Sequence, residues 1–219
     1  MFLVVGFLII RDATSLNYLS KEVSILSSLN ITTDRYNRKI QTNGGYAVVE
    51  RAMKEYLDQY ALDIQDLSTF ISNTQLTKIL SYDNYLEDGP EFTNSLAYLD
   101  EIQSDYNHRV DQLIDNSSRK SIRSSILNKT NDDYYVSLYE KYMFSDDLMH
   151  SVRESKKILK NSQIDINHIM DVSREVLNFL NTYNGSWELK DGQILFKTQD
   201  LCNYYDSLIH EVMIQKDEI

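Results

Sequence analysis

Only one proline and six glycines interrupt a chain of 219 residues, and that scarcity of breakers is the tightest constraint on its fold. A many-stranded sheet needs turns at short intervals, and turns draw on Gly and Pro for backbone angles that other residues resist. Long runs of Leu, Ile, Tyr and Asn without either residue favour helices instead. A chain of this length suits one core of ordinary domain size. The expected fold is mainly all-α, an elongated antiparallel helical bundle, which excludes all-β and dinucleotide-binding α/β architectures.

Apolar spacing locates the helices. Val49, Met53, Tyr56, Tyr60, Ile64, Leu67 and Ile71 recur at three- and four-residue steps, one stripe of a helix that starts near Tyr46, after the Asn-Gly-Gly stop at 43–45. A short piece around Leu76, Ile79 and Leu80 follows. Glu87-Asp-Gly-Pro90-Glu91 reads as a helix start, with Asp88 or Gly89 as N-cap and Pro90 in the first turn. Phe92, Leu96, Leu99, Ile102, Tyr106, Val110 and Leu113 carry that helix to Asn116. A short basic piece comes next, and Asn128–Asp133 caps a helix through Val136, Tyr139 and Met143, with a break near Ser145 before the chain continues to Lys160. Another stripe, Ile166 to Leu180, ends at Asn184-Gly185.

Ser186–Lys190 and Gln193–Lys197 depart from this plan. They are two short alternating runs joined by Asp191-Gly192, the signal of a β-hairpin with a type I′ turn. An isolated hairpin is marginal in water, so Trp187, Leu189, Ile194 and Phe196 should pack on helices. Thr198 then caps a last helix with Leu201, Tyr204, Tyr205, Leu208, Ile209 and Val212 inward.

Met1–Ile10 is uncharged and apolar, yet a helix of ten residues covers about half the hydrocarbon of a bilayer. It lacks the basic start and small-residue cleavage site of a secretory signal. Three readings compete: part of a membrane anchor extending upstream, a buried segment of the core, or an unusual export signal. Helical spacing continues through Leu16, Leu19, Val23, Leu26 and Leu29, so residues 1–29 are expected as anchor and helical stalk, and 30–219 as a bundle domain with its hairpin at about 186–197.

The 33 acidic residues against 22 basic ones give a formal charge of -11, a field that repels phosphate backbones and makes nucleic acid a poor partner. Residues 83–115 hold nine acids against Arg109 alone, whereas 116–130 hold Arg119, Lys120, Arg123 and Lys129 and no acid. That basic group is expected to neutralise the acidic helix before it or to face solvent. Arg153, Lys156, Lys157 and Lys160 are expected to crowd a helix C-terminus, where the dipole favours cations.

Catalytic motifs are missing. Cys202 is the one cysteine, which excludes a disulfide framework and Cys-based zinc or iron–sulfur sites. No serine elbow or Ser-x-x-Lys occurs, and Gly44-Gly45 lacks the lysine and preceding strand of a phosphate loop. Each histidine follows an aspartate by one helical turn: Asp105 and His108, Asp147 and His150, Asp165 and His168, Asp206 and His210. Such pairs resemble the Glu-x-x-His ligands of di-iron bundles in spacing, but lack the further inward glutamates. Exposed electrostatic pairs explain them as well. Gly89-Pro90 and the hairpin tip are local candidates for binding, although turn geometry accounts for both. Sixteen tyrosines suit half-buried seams and recognition surfaces alike.

No catalytic, cofactor-binding or metal residue is assigned. The expectation is a membrane-anchored, extracytoplasmic helical protein that binds a protein partner, an accessory or sensor-like bundle without catalytic activity, of open oligomeric state. The alternative is a cytoplasmic regulatory or structural bundle with residues 1–10 in its core, and the third a helical metalloenzyme using the Asp/His pairs.

Overall fold

The computed structural model describes residues 14–23 and 37–218. The fold is mainly α-helical with one antiparallel hairpin near the C-terminus, as the scarcity of breakers implies. Residues 14–23 are helical (α1), and eight further helices are described: α2 Gly44–Asn73, α3 Leu76–Ile79, α4 Tyr82–Asp88, α5 Thr93–Asn116, α6 Arg119–Leu127, α7 Asp133–Met143, α8 Asp146–Thr182 and α9 Gln199–Glu218. Between α8 and α9 lie β1 Trp187–Lys190 and β2 Gln193–Phe196. The expected apolar segment 1–10 lies outside the described residues, among which no helix is long and apolar enough to cross a membrane.

The chain divides into two compact units. Unit 1 takes the residues up to Ser68 together with Asp111–Lys157, and unit 2 takes Thr69–Val110 with Ile158 onward. In unit 1, Val49, Ala52, Met53 and Leu57 of α2 bury against Ile122 and Ile126 of α6 and Leu138, Tyr139 and Met143 of α7. Residues 14–23 belong to this core: Leu19 is fully buried, Leu16 and Val23 pack beside it, and Ser20 meets the Tyr142 hydroxyl at 2.9 Å. A charged knot closes the unit. The side chains of Lys54 and Glu50 are 3% and 1% exposed and pair at 2.7 Å, and Lys54 also reaches Glu22 at 2.9 Å. Glu50 accepts hydrogen bonds from the Gln41 and Thr42 amides and from the Thr42 hydroxyl at 2.8–3.0 Å, which straps the segment before α2 onto that helix.

Unit 2 packs Leu99, Ile102 and Tyr106 of α5 and Met170, Val176 and Leu177 of α8 as its interior. A polar ladder fixes the register of these two helices: Asn107 and Asn167 exchange amide hydrogen bonds at 2.8 and 3.2 Å, and Arg174 donates to Asp100, Gln103 and Asp171, each at 2.8 Å. The hairpin pairs Trp187 with Phe196 and Leu189 with Ile194. Asp191 and Gly192 have φ of 51° and 80°, the signs a type I′ turn demands. Trp187 donates its indole N–H to the Leu180 carbonyl at 2.7 Å, satisfying one orphan acceptor at the end of α8.

Two expectations about helix ends are corrected. Pro90 does not open α5, which begins at Thr93; Gly89-Pro90 is a cis peptide in the connection, and Phe92 takes the left-handed conformation at φ 53°. The Asp88 carboxylate nevertheless caps α5 from a distance, accepting the Asn94 and Ser95 amides at 3.2 and 2.7 Å. Those hydrogen bonds outweigh the desolvation that would raise its pKa, and hold the carboxyl below the usual aspartate range. Nor does any helix end at Lys160: after the break at Phe144-Ser145, α8 runs for 37 residues, because nothing between 146 and 182 breaks it. The group from Arg153 to Lys160 is mid-helix and caps nothing.

Candidate functional site

The most exposed aromatic surface among the described residues of unit 2 lies where α8 ends and α9 begins. Phe179, on the buried stripe of α8, is 7% exposed, whereas Tyr183 and Tyr204 are 43% and 46% exposed. Their ring centroids lie 5.0 and 5.1 Å from that of Phe179, both tilted. Phe179 also meets Phe196 of the hairpin at 6.0 Å, so the hairpin braces the ring from behind. Tyr204 was expected inward on its helix stripe; it stands outward instead, because Tyr205 takes the interior position against Phe196 at 5.2 Å and the Tyr85 hydroxyl at 3.1 Å.

These rings bound a groove of about 480 Å³ that Glu175, Asn178, Thr182, Asp200 and Leu201 complete. The Tyr204 hydroxyl donates to Glu175 at 2.6 Å. That bond, with smaller contributions from burial and from the Glu175 charge, raises the phenol above its ordinary pKa. No basic side chain lines the groove, and the last turn of α8 carries none either, although a helix C-terminus is where cations are stabilised. The charge of the whole chain follows the same division. Unit 2 holds 17 acidic against 7 basic residues, unit 1 holds 16 against 15, so -10 of the net -11 belongs to unit 2.

Two other grooves are lined by groups already committed to one another. In unit 1, about 380 Å³ lies between α2 and α6, where Lys129 pairs with Glu55 at 2.5 Å and Asp63 accepts from Gln59 and Asn116 at 2.8 and 3.1 Å. The buried Tyr60 hydroxyl there has no partner in hydrogen-bonding geometry, though the Ser155 hydroxyl offsets part of the rise that burial gives its pKa. In unit 2, about 560 Å³ lies between α3, α4 and α5, where Asn84 donates to the Ile79 carbonyl at 2.7 Å and to Ser95 at 3.0 Å.

The Asp/His pairs do not converge. Among the described residues no group of three or more His, Cys, Asp or Glu side chains is placed to hold a metal ion. His168 pairs with Glu211 of α9 at 3.0 Å, while Asp165 faces Tyr106, whose phenol is pushed up to about 12 by burial and by that carboxylate. Cys202 lies 3.7 Å from Asp206; burial and that carboxylate raise its thiol pKa, which disfavours the thiolate a nucleophile needs. All four members of the basic group after residue 116 are exposed, as the solvent-facing alternative has it, and two of them pair with acids elsewhere in unit 1: Arg123 with Glu140 at 2.6 Å and Lys129 with Glu55. Comparison with protein-family models, with curated proteins and with solved structures yields no match.

Sequence pattern alone assigns no binding role to the groove residues, and places Leu201 and Tyr204 of the groove inward. Tyr183 lies beyond the Ile166–Leu180 stripe, and the partition of charge between units emerges only once residues 69–110 and 158–219 are brought together. The absence of Lys and Arg from the last turn of α8 was the legible signal.

Proposed function

We infer that this chain is a helical binding protein without catalytic activity, which recognises a protein partner through unit 2 and is held at a membrane by residues 1–10. The observation that carries the binding half is the exposed aromatic groove of α8 and α9 within the strongly acidic unit. Tyrosine supplies contact area at low conformational cost, with a polar tip that tolerates water between partners. The membrane half rests on the apolar, uncharged run of Met1–Ile10, and on this reading we assign the domain to the extracytoplasmic side. Since residues 14–23 pack into the core of unit 1, such an anchor would meet that unit after only a few residues, without a free stalk.

The binding half is tested by photo-crosslinking the full chain to a panel of peptides of both charge signs. Adducts concentrated on α8 and α9 support it; adducts confined to unit 1, or none, refute it. For the membrane half, vesicle flotation of the chain with and without residues 1–10 is decisive when combined with thermal melts. Flotation of the longer form only, at equal melting temperature, is the expected result. The packing of residues 14–23 favours a second reading, in which residues 1–10 continue into the core of a cytoplasmic bundle; a deletion that collapses the fold, with neither form floating, selects it.

A further inference from the structure

We propose that the groove between α8 and α9 seats the lysine or arginine side chain of a basic, extended segment in a protein partner. The proposal rests on the assignment of unit 2 as the binding unit and names what it binds. Three independent features of the groove favour a cation on an organic stem. Tyr183 and Tyr204 present exposed rings beside Phe179, at 5.0 and 5.1 Å between centroids, and aromatic faces attract ammonium and guanidinium groups. Glu175 and Asp200 add two carboxylates to its lining. The C-terminal end of the 37-residue α8 adds the negative pole of a helix dipole, with no basic residue in its last turn to offset it.

Other ligand classes fit less well. An anion would meet two carboxylates and a helix C-terminus. A bare divalent cation would find only two carboxylates, one of them already bonded to Tyr204, and hard cations require more oxygen ligands than that. A purely apolar segment would bury Glu175 and Asp200 without compensation. The stem of lysine or arginine, by contrast, can lie along Leu201 and the rings while its charged head meets the carboxylates. The wider field selects a peptide over a single small amine. A charge of -10 on unit 2 acts on every basic residue of an approaching segment, raising its association rate and adding attraction that one ammonium does not collect.

The test uses the full chain and fluorescein-labelled nonapeptides of Gly and Ser carrying three lysines, three arginines, three acetyl-lysines or three glutamates, read by fluorescence anisotropy. Lysine and arginine peptides should bind, and the acetylated and acidic ones should not. Tyr204→Ala should weaken binding about five- to tenfold, the range of a partly desolvated cation–π contact. Tyr204→Phe keeps the ring and should stay within about twofold of the unaltered chain on the same ground. Glu175→Gln should weaken binding and flatten its salt dependence. These positions are exposed, and equal melting temperatures establish that each variant is folded; Tyr18→Ala, exposed in unit 1, serves as the control and should bind normally. Equal affinity of Tyr204→Ala and the unaltered chain would overturn the proposal, since the field alone would then explain binding. Competition by lysine amide at the peptide's own concentration would overturn it in favour of a small amine. If basic peptides fail while neutral or acidic ones crosslink to α8 and α9, this proposal falls and the broader binding assignment stands; if no peptide engages unit 2, both fall.

Discussion

Glu50 shows how much one buried carboxylate has to hold. Burial alone would raise its pKa, but Lys54, the Gln41 and Thr42 amides and the Thr42 hydroxyl together keep the carboxyl below the ordinary glutamate value of 4.5. A group whose pKa falls on folding stabilises the fold fully above the unfolded value and loses that contribution as pH drops through the folded one. Acid unfolding should therefore steepen below about pH 4.5 in the unaltered chain, and Glu50→Gln should flatten that limb in pH-dependent denaturant melts. Glu50→Ala, which removes the buried carboxylate paired with Lys54 at 2.7 Å, is expected to cost about 3–5 kcal/mol at neutral pH. Replacing Lys54 by Met as well should recover part of the loss. None of this network was legible in the sequence, because the i, i+4 spacing of Glu50 and Lys54 does not mark them as buried; the return of residues 39–42 over α2 and the approach of Glu22 enclose them. Tyr204 is the converse case, assigned inward by its spacing and standing outward because Tyr205 competes for the same interior space.

At the scale of elements, stripes and turn chemistry were readable because they are local. The hairpin was legible in Asp191-Gly192 and its flanking alternation, and both turn residues adopt positive φ. Gly192→Ala forces a side chain into that conformation, so it should destabilise the hairpin by about 1–2 kcal/mol, seen as faster amide exchange in β1 and β2 with α5 unaffected. Helix ends were read less well. Pro90 carried the usual marks of a first-turn residue, yet Phe92 buries against Tyr85 and Trp187, with ring centroids 5.7 and 6.4 Å away. The chain delays the helix to place that ring, and Asp88 reaches across to cap it. Asp88→Ala should cost about 1 kcal/mol, measurable by thermal melts and concentrated in the first turn of α5. The continuity of α8 through residue 160 was missed for a related reason: a cluster of lysines resembles a helix end in composition but does nothing to stop one.

Charge is the property that belongs to the whole molecule. With -10 of -11 in unit 2, self-repulsion acts mainly there, and salt should relieve it. Trp187 is the only tryptophan and lies in unit 2, so its fluorescence reports that unit. Raising NaCl from about 10 to about 150 mM shortens the Debye length from about 30 to about 8 Å, and the fluorescence transition should move to higher denaturant; no movement would show that the acidic residues are already compensated. Each unit is assembled from two separated stretches of chain, and the crossings at 68–69, 110–111 and 157–158 all fall inside helices, α2, α5 and α8. On a ribosome the order of completion follows. Every residue of unit 1 has been made once Lys157 emerges, while unit 2 waits for the hairpin and α9. The aromatic groove, which draws Asp200, Leu201 and Tyr204 from α9, thus forms only after every residue of the first unit has been made, and a ribosome stalled before residue 200 would carry all of that unit with no groove at all.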